Sequence, residues 1–119
     1  NSGGEGQHRG GLGAVYEIEL LEESAEAFIF GERGKAAPKG IAQGDNGLPN
    51  VFSYQNDGRW QTPAMVSKMR GIPLKKGERV RLETPGGGGW GDSRTRDVKH
   101  REHDVAMGYV TTPSVKVIA

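Results

Sequence analysis

The sequence contains no cysteine, which excludes a disulfide framework and a thiolate metal site. Apolar residues make up only 34% of the chain, which predicts a thin hydrophobic core and a loop-rich fold. No apolar run approaches the ~18 residues that a membrane-spanning helix needs. Basic and acidic residues number 16 and 15 and are mixed along the chain, so the net charge of +1 predicts no binding to nucleic acid.

Glycine, in contrast, is abundant, at 20 of 119 residues. Six glycines fall within residues 1–13, and four follow one another at residues 86–89. A run of four glycines forms neither a stable helix nor a stable strand, because glycine loses the most conformational freedom on folding. Such a run persists where the backbone turns with positive φ or where another group comes close. Pro85 stiffens the entrance to this run, and Trp90 follows it as a large apolar anchor.

The N-terminal glycine stretch, residues 1–13, leaves two alternatives open. Its backbone N–H groups could form an anion-binding nest, or the segment could be a disordered terminus. His8 and Arg9 add positive charge to it. Arg9 either faces a phosphorylated or carboxylated intermediate or pairs with a nearby acid such as Glu83.

Apolar residues alternate with polar ones in several short segments, which predicts half-buried antiparallel strands. Residues 14–21, with Tyr16, Ile18 and Leu20 inward, and residues 27–30 are predicted to form one hairpin. Residues 51–55 and 59–62 are predicted to form another across Asn56-Asp57-Gly58, which is a hairpin turn signal. Residues 79–84 are predicted as a strand with Val80, Leu82 and Thr84 inward that leads into the glycine run, and residues 115–119 as a final short strand.

One helix is predicted within residues 92–106, with Ser93 or Asp97 as its cap and Gly108 placed to end it. Residues 109–111 would then pack back. His100 and His103 lie at i and i+3, a spacing that suits a metal, but the surrounding charges favour a solvated polar face. The long polar segment 31–50 is predicted to be functional or to dock on another protein; the alternative is a charged, mobile loop in which Glu32 and Arg33 pair.

These patterns predict a single domain, residues 1–119, of the mainly β class. Its antiparallel strands would form a small sandwich or a barrel-like domain with long glycine-rich loops and one short C-terminal helix. The glycine run is not followed by Lys-Ser or Lys-Thr, so it is not a phosphate-binding P-loop. Neither a nucleophile with its base nor a carboxylate pair can be identified, so the catalytic residues stay unknown.

The two glycine stretches resemble motifs of one family. Residues 1–13 resemble the NSGG-x-G-x-HRGG-x-G signature of the hydantoinase B/5-oxoprolinase family. Residues 74–92 are similar to that family's L-x-x-GD-x-V-x-x-x-TPGGGG-[YW]-GD stretch, although Glu78 replaces the usual Asp. Arg96-Asp97, Asp104-Val105 and residues 108–111 resemble its RD…DV…GYVS ending. The chain opens within a motif and without Met, which favours a piece of a longer protein.

The resemblance implies the C-terminal portion of a hydantoinase B-type subunit. Such subunits belong to ATP-dependent enzymes that hydrolyse cyclic amides such as hydantoins and 5-oxoproline, and related enzymes carboxylate acetone or acetophenone. A hydantoinase A-type partner would carry ATP and Mg, a divalent metal is possible in the upstream hydantoinase B region, and this chain would bind no cofactor. The enzyme would be cytoplasmic. A carboxylase subunit and a non-catalytic assembly module remain as alternatives.

The expected substrate-facing or inter-subunit residues come from the two glycine stretches. No metal ligands are expected among them. They are Asn1, Ser2, Gly3, Gly4, His8, Arg9, Gly10, Thr84, Gly86, Gly87, Gly88, Gly89 and Trp90.

Overall fold

A computed structural model describes residues 1–111. The predicted strand 115–119 lies outside the described residues. The elements, in chain order, are β1 (Val15–Glu19), β2 (Ser24–Phe30), β3 (Val51–Asn56), β4 (Arg59–Gln61), β5 (Lys68–Lys75), β6 (Arg79–Glu83), a short 3₁₀ turn (Ser93–Thr95) and α1 (Val98–Ala106). The mainly β class is therefore confirmed. In this part of the chain, no helix is long and apolar enough to cross a bilayer.

The predicted hairpin between β1 and β2 is wrong, because the two strands lie in different sheets. β1 pairs antiparallel with β6, and β2 pairs antiparallel with β5. The connections between the sheets run side by side: the Leu20 N–H donates to the Glu78 carbonyl at 2.9 Å, and the Gly77 N–H donates back to Leu20 at 2.8 Å. The four strands are thus one long ribbon that bends from one sheet into the other.

The predicted hairpin between β3 and β4 is confirmed. Asp57 and Gly58 both have positive φ, 50° and 77°, as a two-residue type I′ turn requires. β3 also pairs with β6, which gives a four-stranded sheet in the order β1-β6-β3-β4 beside the two-stranded sheet of β2 and β5.

The core lies between the two sheets and is small. Its buried members are Phe52 and Tyr54 from β3 and Ile72 and Leu74 from β5. The sheets face each other as a sandwich and do not close into a barrel. Val80 and Leu82 pack against this core, as the alternation in β6 predicts.

The sequence patterns did not predict β5, although it supplies Ile72, which is fully buried. Gly71 and Pro73 interrupt its pattern. Gly71 has φ 68° and lies where the register against β2 shifts, and Pro73 lies opposite Glu26 in a sheet of only two strands. A glycine at a bulge and a proline in a strand with a free edge are both tolerated.

β1 has the predicted alternation but not the predicted burial. Tyr16 and Ile18 are paired with Leu82 and Val80 and so share the core-facing side of the sheet. They nevertheless remain 60% and 48% exposed.

Candidate functional site

The two glycine stretches and part of the long polar loop interlock through their main chains. Residues 1–13, 38–48 and 84–91 lie side by side, and we call this unit the glycine block. The Gly4 N–H donates to the Gly87 carbonyl at 2.8 Å, and the Gly87 N–H donates to Gly11 at 2.9 Å. The loop joins on the other side, where the Gly89 N–H donates to the Asp45 carbonyl at 2.8 Å. Most of the contacts in the block are therefore between backbones.

Close approach, not positive φ, explains why the glycine run must be glycine. None of its four residues has a positive φ. A Cβ atom placed on Gly86 would lie 1.8 Å from the Ser2 carbonyl oxygen, and one on Gly88 would lie 2.0 Å from that of Lys39. Real Cβ contacts are never so short, so any side chain there would force two segments apart.

Residues 1–13 are packed against the rest of the chain, so the expected disordered terminus is wrong. Several of the segment's backbone donors are committed to other parts of the chain. The N–H groups of Gly4, Gln7, His8 and Gly10 all donate to main-chain carbonyls within the chain. The expected anion nest is therefore wrong for these four groups.

The glycine run is committed in the same way. The N–H groups of Gly86, Gly87 and Gly89 donate to the carbonyls of Leu48, Gly11 and Asp45. These donors are not free to cradle a phosphate.

The long polar loop is tied to the rest of the molecule. Gly44 and Gly47 approach Gly89 and Gly86 so closely that a Cβ on either would lie within 2.3 Å of a carbonyl oxygen. The expected pairing of Glu32 with Arg33 is wrong, because Glu32 accepts from Lys68 Nζ at 2.7 Å. Whether the loop also docks on another protein stays a prediction.

A buried carboxylate joins the N-terminal stretch to the helix. Asp104, 5% exposed, accepts from Arg9 Nε at 3.1 Å and Nη2 at 3.2 Å and from Arg96 Nη2 at 2.8 Å. We call these three residues the Arg–Asp–Arg cluster. The hydrogen bonds from Arg9 hold the pKa of Asp104 below its usual value, although burial acts in the opposite direction. The expected pairing of Arg9 with an acid is confirmed, but the acid is Asp104 and not Glu83, which pairs with Arg81.

Both arginines of the cluster also hold the backbone of the N-terminal stretch. Arg9 Nη1 donates to the Gly10 carbonyl at 2.8 Å, and Arg96 Nη1 donates to Gln7 at 3.0 Å. The Arg9 guanidinium lies 5.5 Å from the centre of the Tyr109 ring, a cation–π contact. Sequence reasoning missed Asp104 and Arg96 as partners, although both belong to the family-like RD…DV motif.

Helix α1 begins at Val98, and its N-cap is Asp97, one of the two predicted caps. The Asp97 side chain accepts from the Lys99 N–H, and Gly108, with φ 72°, follows the helix end. The other candidate cap, Ser93, instead starts the 3₁₀ turn. The only buried residue of the helix is Asp104, so a carboxylate rather than an apolar stripe docks it.

Residues 109–111 pack back as predicted. The Tyr109 N–H donates to the Asp104 carbonyl at 2.8 Å, and Thr111 exchanges hydrogen bonds with the Asn1 side chain. His100 and His103 lie on the helix, and within residues 1–111 no three His, Cys, Asp or Glu are arranged to hold a metal ion.

The expected site residues separate into four places. Gly3, Gly4, Gly10 and the glycine run lie in the glycine block, where they contact other backbone. Asn1, Ser2 and Thr84 line a groove of about 330 Å³, in which Ser2 Oγ accepts from the Gly13 N–H and Thr84 Oγ1 from the Ala14 N–H.

His8 and Trp90 lie together on the surface. Their ring centres are 5.5 Å apart, and Trp90 is 49% exposed. Arg9 lines a separate cavity of about 150 Å³ beside the Arg–Asp–Arg cluster. The structure thus assembles no single pocket from the expected residues.

Comparison with known proteins gives a family match that covers both glycine stretches. The family model described as Hydantoinase B/oxoprolinase matches residues 1–93. The chain is 35% identical over 94 residues to 5-oxoprolinase 1 of Arabidopsis thaliana, covering 78% of this chain and 7% of the plant protein. It is 34% identical over 93 residues to a 5-oxoprolinase of Dictyostelium discoideum, with 76% and 7% covered. No solved structure gives a significant match.

A bacterial relative extends the alignment through the helix. Caprolactamase subunit beta of Pseudomonas jessenii is 30% identical over an alignment of 122 positions. The alignment covers 98% of this chain and 20% of that subunit. The chain therefore spans a fifth or less of the length of these relatives. The names of the relatives refer to hydrolysis of cyclic amides, and one of them refers to a subunit.

Proposed function

The chain belongs to the hydantoinase B/oxoprolinase family, and we propose that it forms the C-terminal part of a hydantoinase B-type subunit in an ATP-dependent enzyme that opens cyclic amides. The observation that carries the proposal is the family match over residues 1–93, because it includes both glycine stretches, which interlock in the fold. The relatives named 5-oxoprolinase and caprolactamase support a cyclic amide as the substrate class.

The proposal divides ATP binding and substrate positioning between two polypeptides. It rests on the backbone N–H groups of the glycine block that already donate to carbonyls. Ring opening adds water to the amide carbon, breaks the C–N bond and protonates the leaving nitrogen. An unstrained amide needs its oxygen activated for this step, which ATP can provide by phosphorylation. Because the glycine run already donates to carbonyls, we assign ATP and Mg to a hydantoinase A-type partner in the cytoplasm. This chain would position loops around the substrate.

The test compares the complete subunit with the isolated chain. The complete subunit with its ATPase partner should consume ATP in the presence of hydantoin, 5-oxoproline or caprolactam and open the ring. The isolated 119-residue chain should do neither. Substrate-stimulated ATP consumption by the isolated chain would overturn the division of labour. A requirement for bicarbonate, with a carboxylated product, would replace the hydrolase with the carboxylase alternative.

A second experiment separates a role at the reaction site from a role in assembly only. His8 and Gln7 are exposed neighbours, and the His8 ring lies 5.5 Å from the ring of Trp90, centre to centre. In the complete enzyme, His8→Ala should lower kcat with the subunits still associated, and Gln7→Ala should leave kcat unchanged. Loss of association in His8→Ala with normal kcat per assembled enzyme would favour the assembly module.

A further inference from the structure

We propose that the cavity beside the Arg–Asp–Arg cluster binds a small organic carboxylate. We call it the arginine cavity. Its volume is about 150 Å³, and its walls include Arg9, Arg96, Arg101, Ser93 and Val105. Three of the 16 basic residues of the chain therefore line one small cavity.

The three arginines keep donors that the protein itself does not use. A guanidinium has five N–H donors. Among the described residues, Arg9 makes three hydrogen bonds, Arg96 two and Arg101 two. Arg96 Nε is buried without any partner. Each side chain therefore keeps at least two N–H groups, and a carboxylate is the group that matches such a planar fork.

The charge of the lining favours an anion with a single charge. Its ionised groups are the three arginines, Asp104 and Glu5. Asp104 pairs with both Arg9 and Arg96, which leaves one net positive charge in the Arg–Asp–Arg cluster. Arg101 and Glu5 approximately balance each other, and Glu5 is exposed at the rim. One bound carboxylate would neutralise the remainder.

The rest of the lining suits a short apolar body. Val105 and Val110 contribute apolar wall, and the volume accommodates only a small molecule. A carboxylate with a compact ring or a short alkyl group fits both properties. Phosphate and sulfate, which carry more charge and no apolar part, fit less well.

The anion class rests on the arginine cavity alone, and the choice of 5-oxoproline as a probe rests on the proposed function. Hydrolysis of a cyclic amide turns the amide carbonyl into a carboxylate, and 5-oxoproline already carries one beside its ring. The cavity would therefore recognise either the carboxylate of such a substrate or that of an open-chain product.

The experiment measures binding rather than turnover. Calorimetric titration of the complete protein would compare 5-oxoproline, 2-pyrrolidinone, which has the same ring without the carboxylate, and propanoate. Arg101→Gln removes one cation from the cavity without touching Asp104, and Arg94→Gln is the matched control, because Arg94 is exposed and pairs with Asp92. Val105→Phe fills the cavity while keeping all three arginines.

We expect 5-oxoproline to bind and 2-pyrrolidinone not to bind. Arg101→Gln should weaken binding by about tenfold or more, since a hydrogen bond to a charged group is lost. Val105→Phe should abolish binding, and Arg94→Gln should leave it unchanged. Competition by propanoate would indicate an open-chain ligand, and its absence a ring-bearing one.

Equal binding of 2-pyrrolidinone, or unchanged binding in both Arg101→Gln and Val105→Phe, overturns the inference. If Arg101→Gln fails to fold, the binding measured with Val105→Phe alone tests the inference. Turnover of 5-oxoproline with no effect of either variant on its binding would reject the arginine cavity and retain the proposed function. Carboxylate binding without any ring opening would retain the arginine cavity and reject the proposed function.

Discussion

The glycine block and the β-sandwich are stabilised in opposite ways. In the sandwich, four buried side chains, Phe52, Tyr54, Ile72 and Leu74, fill the space between two sheets. In the glycine block, neighbouring segments are in direct backbone contact. At most of its glycines, a carbonyl oxygen of another segment lies close to the place that a Cβ atom would occupy. The sandwich therefore depends on what its side chains are, and the block depends on their absence.

This difference changes which substitutions each region tolerates. A core position accepts another apolar residue of similar volume at modest cost. Close-packed glycines of the block, such as Gly86 and Gly88, accept nothing larger, because the neighbouring atom is backbone and cannot change rotamer.

Gly88→Ala should destabilise the chain by at least about 3 kcal/mol or prevent folding, because the new Cβ displaces the main chain of Lys39 and its neighbours. Gly11→Ala is the matched control: nothing lies within 4 Å of a Cβ there, and its free energy of unfolding should stay within about 0.5 kcal/mol of the wild type. Gly87→Ala should fall between them, since its nearest contact is 3.1 Å from Gly11 N. Urea unfolding measures all three, and equal midpoints would remove the contrast.

Ile72→Ala should lower the free energy of unfolding by about 2–5 kcal/mol, the usual range for emptying a fully buried site. Ile18→Ala removes the same atoms from a side chain that is 48% exposed, and should cost less than about 1 kcal/mol. A larger loss at Ile18 than at Ile72 would mean that the core lies elsewhere than between the sheets.

Asp104→Asn should cost about 2–4 kcal/mol, because it leaves two largely buried guanidinium groups without their carboxylate. Glu32→Gln breaks an ion pair of similar length on the surface and should cost much less, because water screens exposed charges. Thermal unfolding of both variants ranks them. If they prove equal, the Arg–Asp–Arg cluster does not attach the helix to the glycine block.

The smallest effect is a pH dependence. The pKa of Asp104 is lowered in the folded chain, mainly by hydrogen bonds from Arg9, so its stabilising contribution is complete above the unfolded value of about 3.9. It is lost as the pH falls through the lower, folded value. The difference in stability between the wild type and Asp104→Asn should therefore shrink progressively below about pH 4. A constant difference down to pH 2 would contradict this linkage.

Local features of the fold could be predicted from the sequence, but pairings over long distances could not. The turn at Asp57-Gly58 is a two-residue signal, and the β3–β4 hairpin follows from it. Glu22, Glu23 and Ser24, after β1, have the polar composition of a hairpin turn. Only the position of β5 and β6, more than 40 residues later, decides that the chain crosses to another sheet there.

In the candidate site, too, local features could be predicted and long-range contacts could not. The four successive glycines indicate a special backbone requirement, but not whether it is positive φ or close approach, since both need a missing Cβ. Arg9 was identifiable as a functional residue, but its partner was not. With 15 acidic residues available, only the docking of the helix selects Asp104.

The contact between Arg9 and Asp104 joins residues that are 95 positions apart, and it has a consequence for synthesis. A ribosome adds about 5–20 residues per second, so the N-terminal stretch waits several seconds before its partner strand and helix emerge. During that time six glycines and their free backbone groups are exposed to proteases and to chaperones. Of these 119 residues, the stretch that is translated before the others is thus among the last to be fixed, and quality control has its longest access to that stretch.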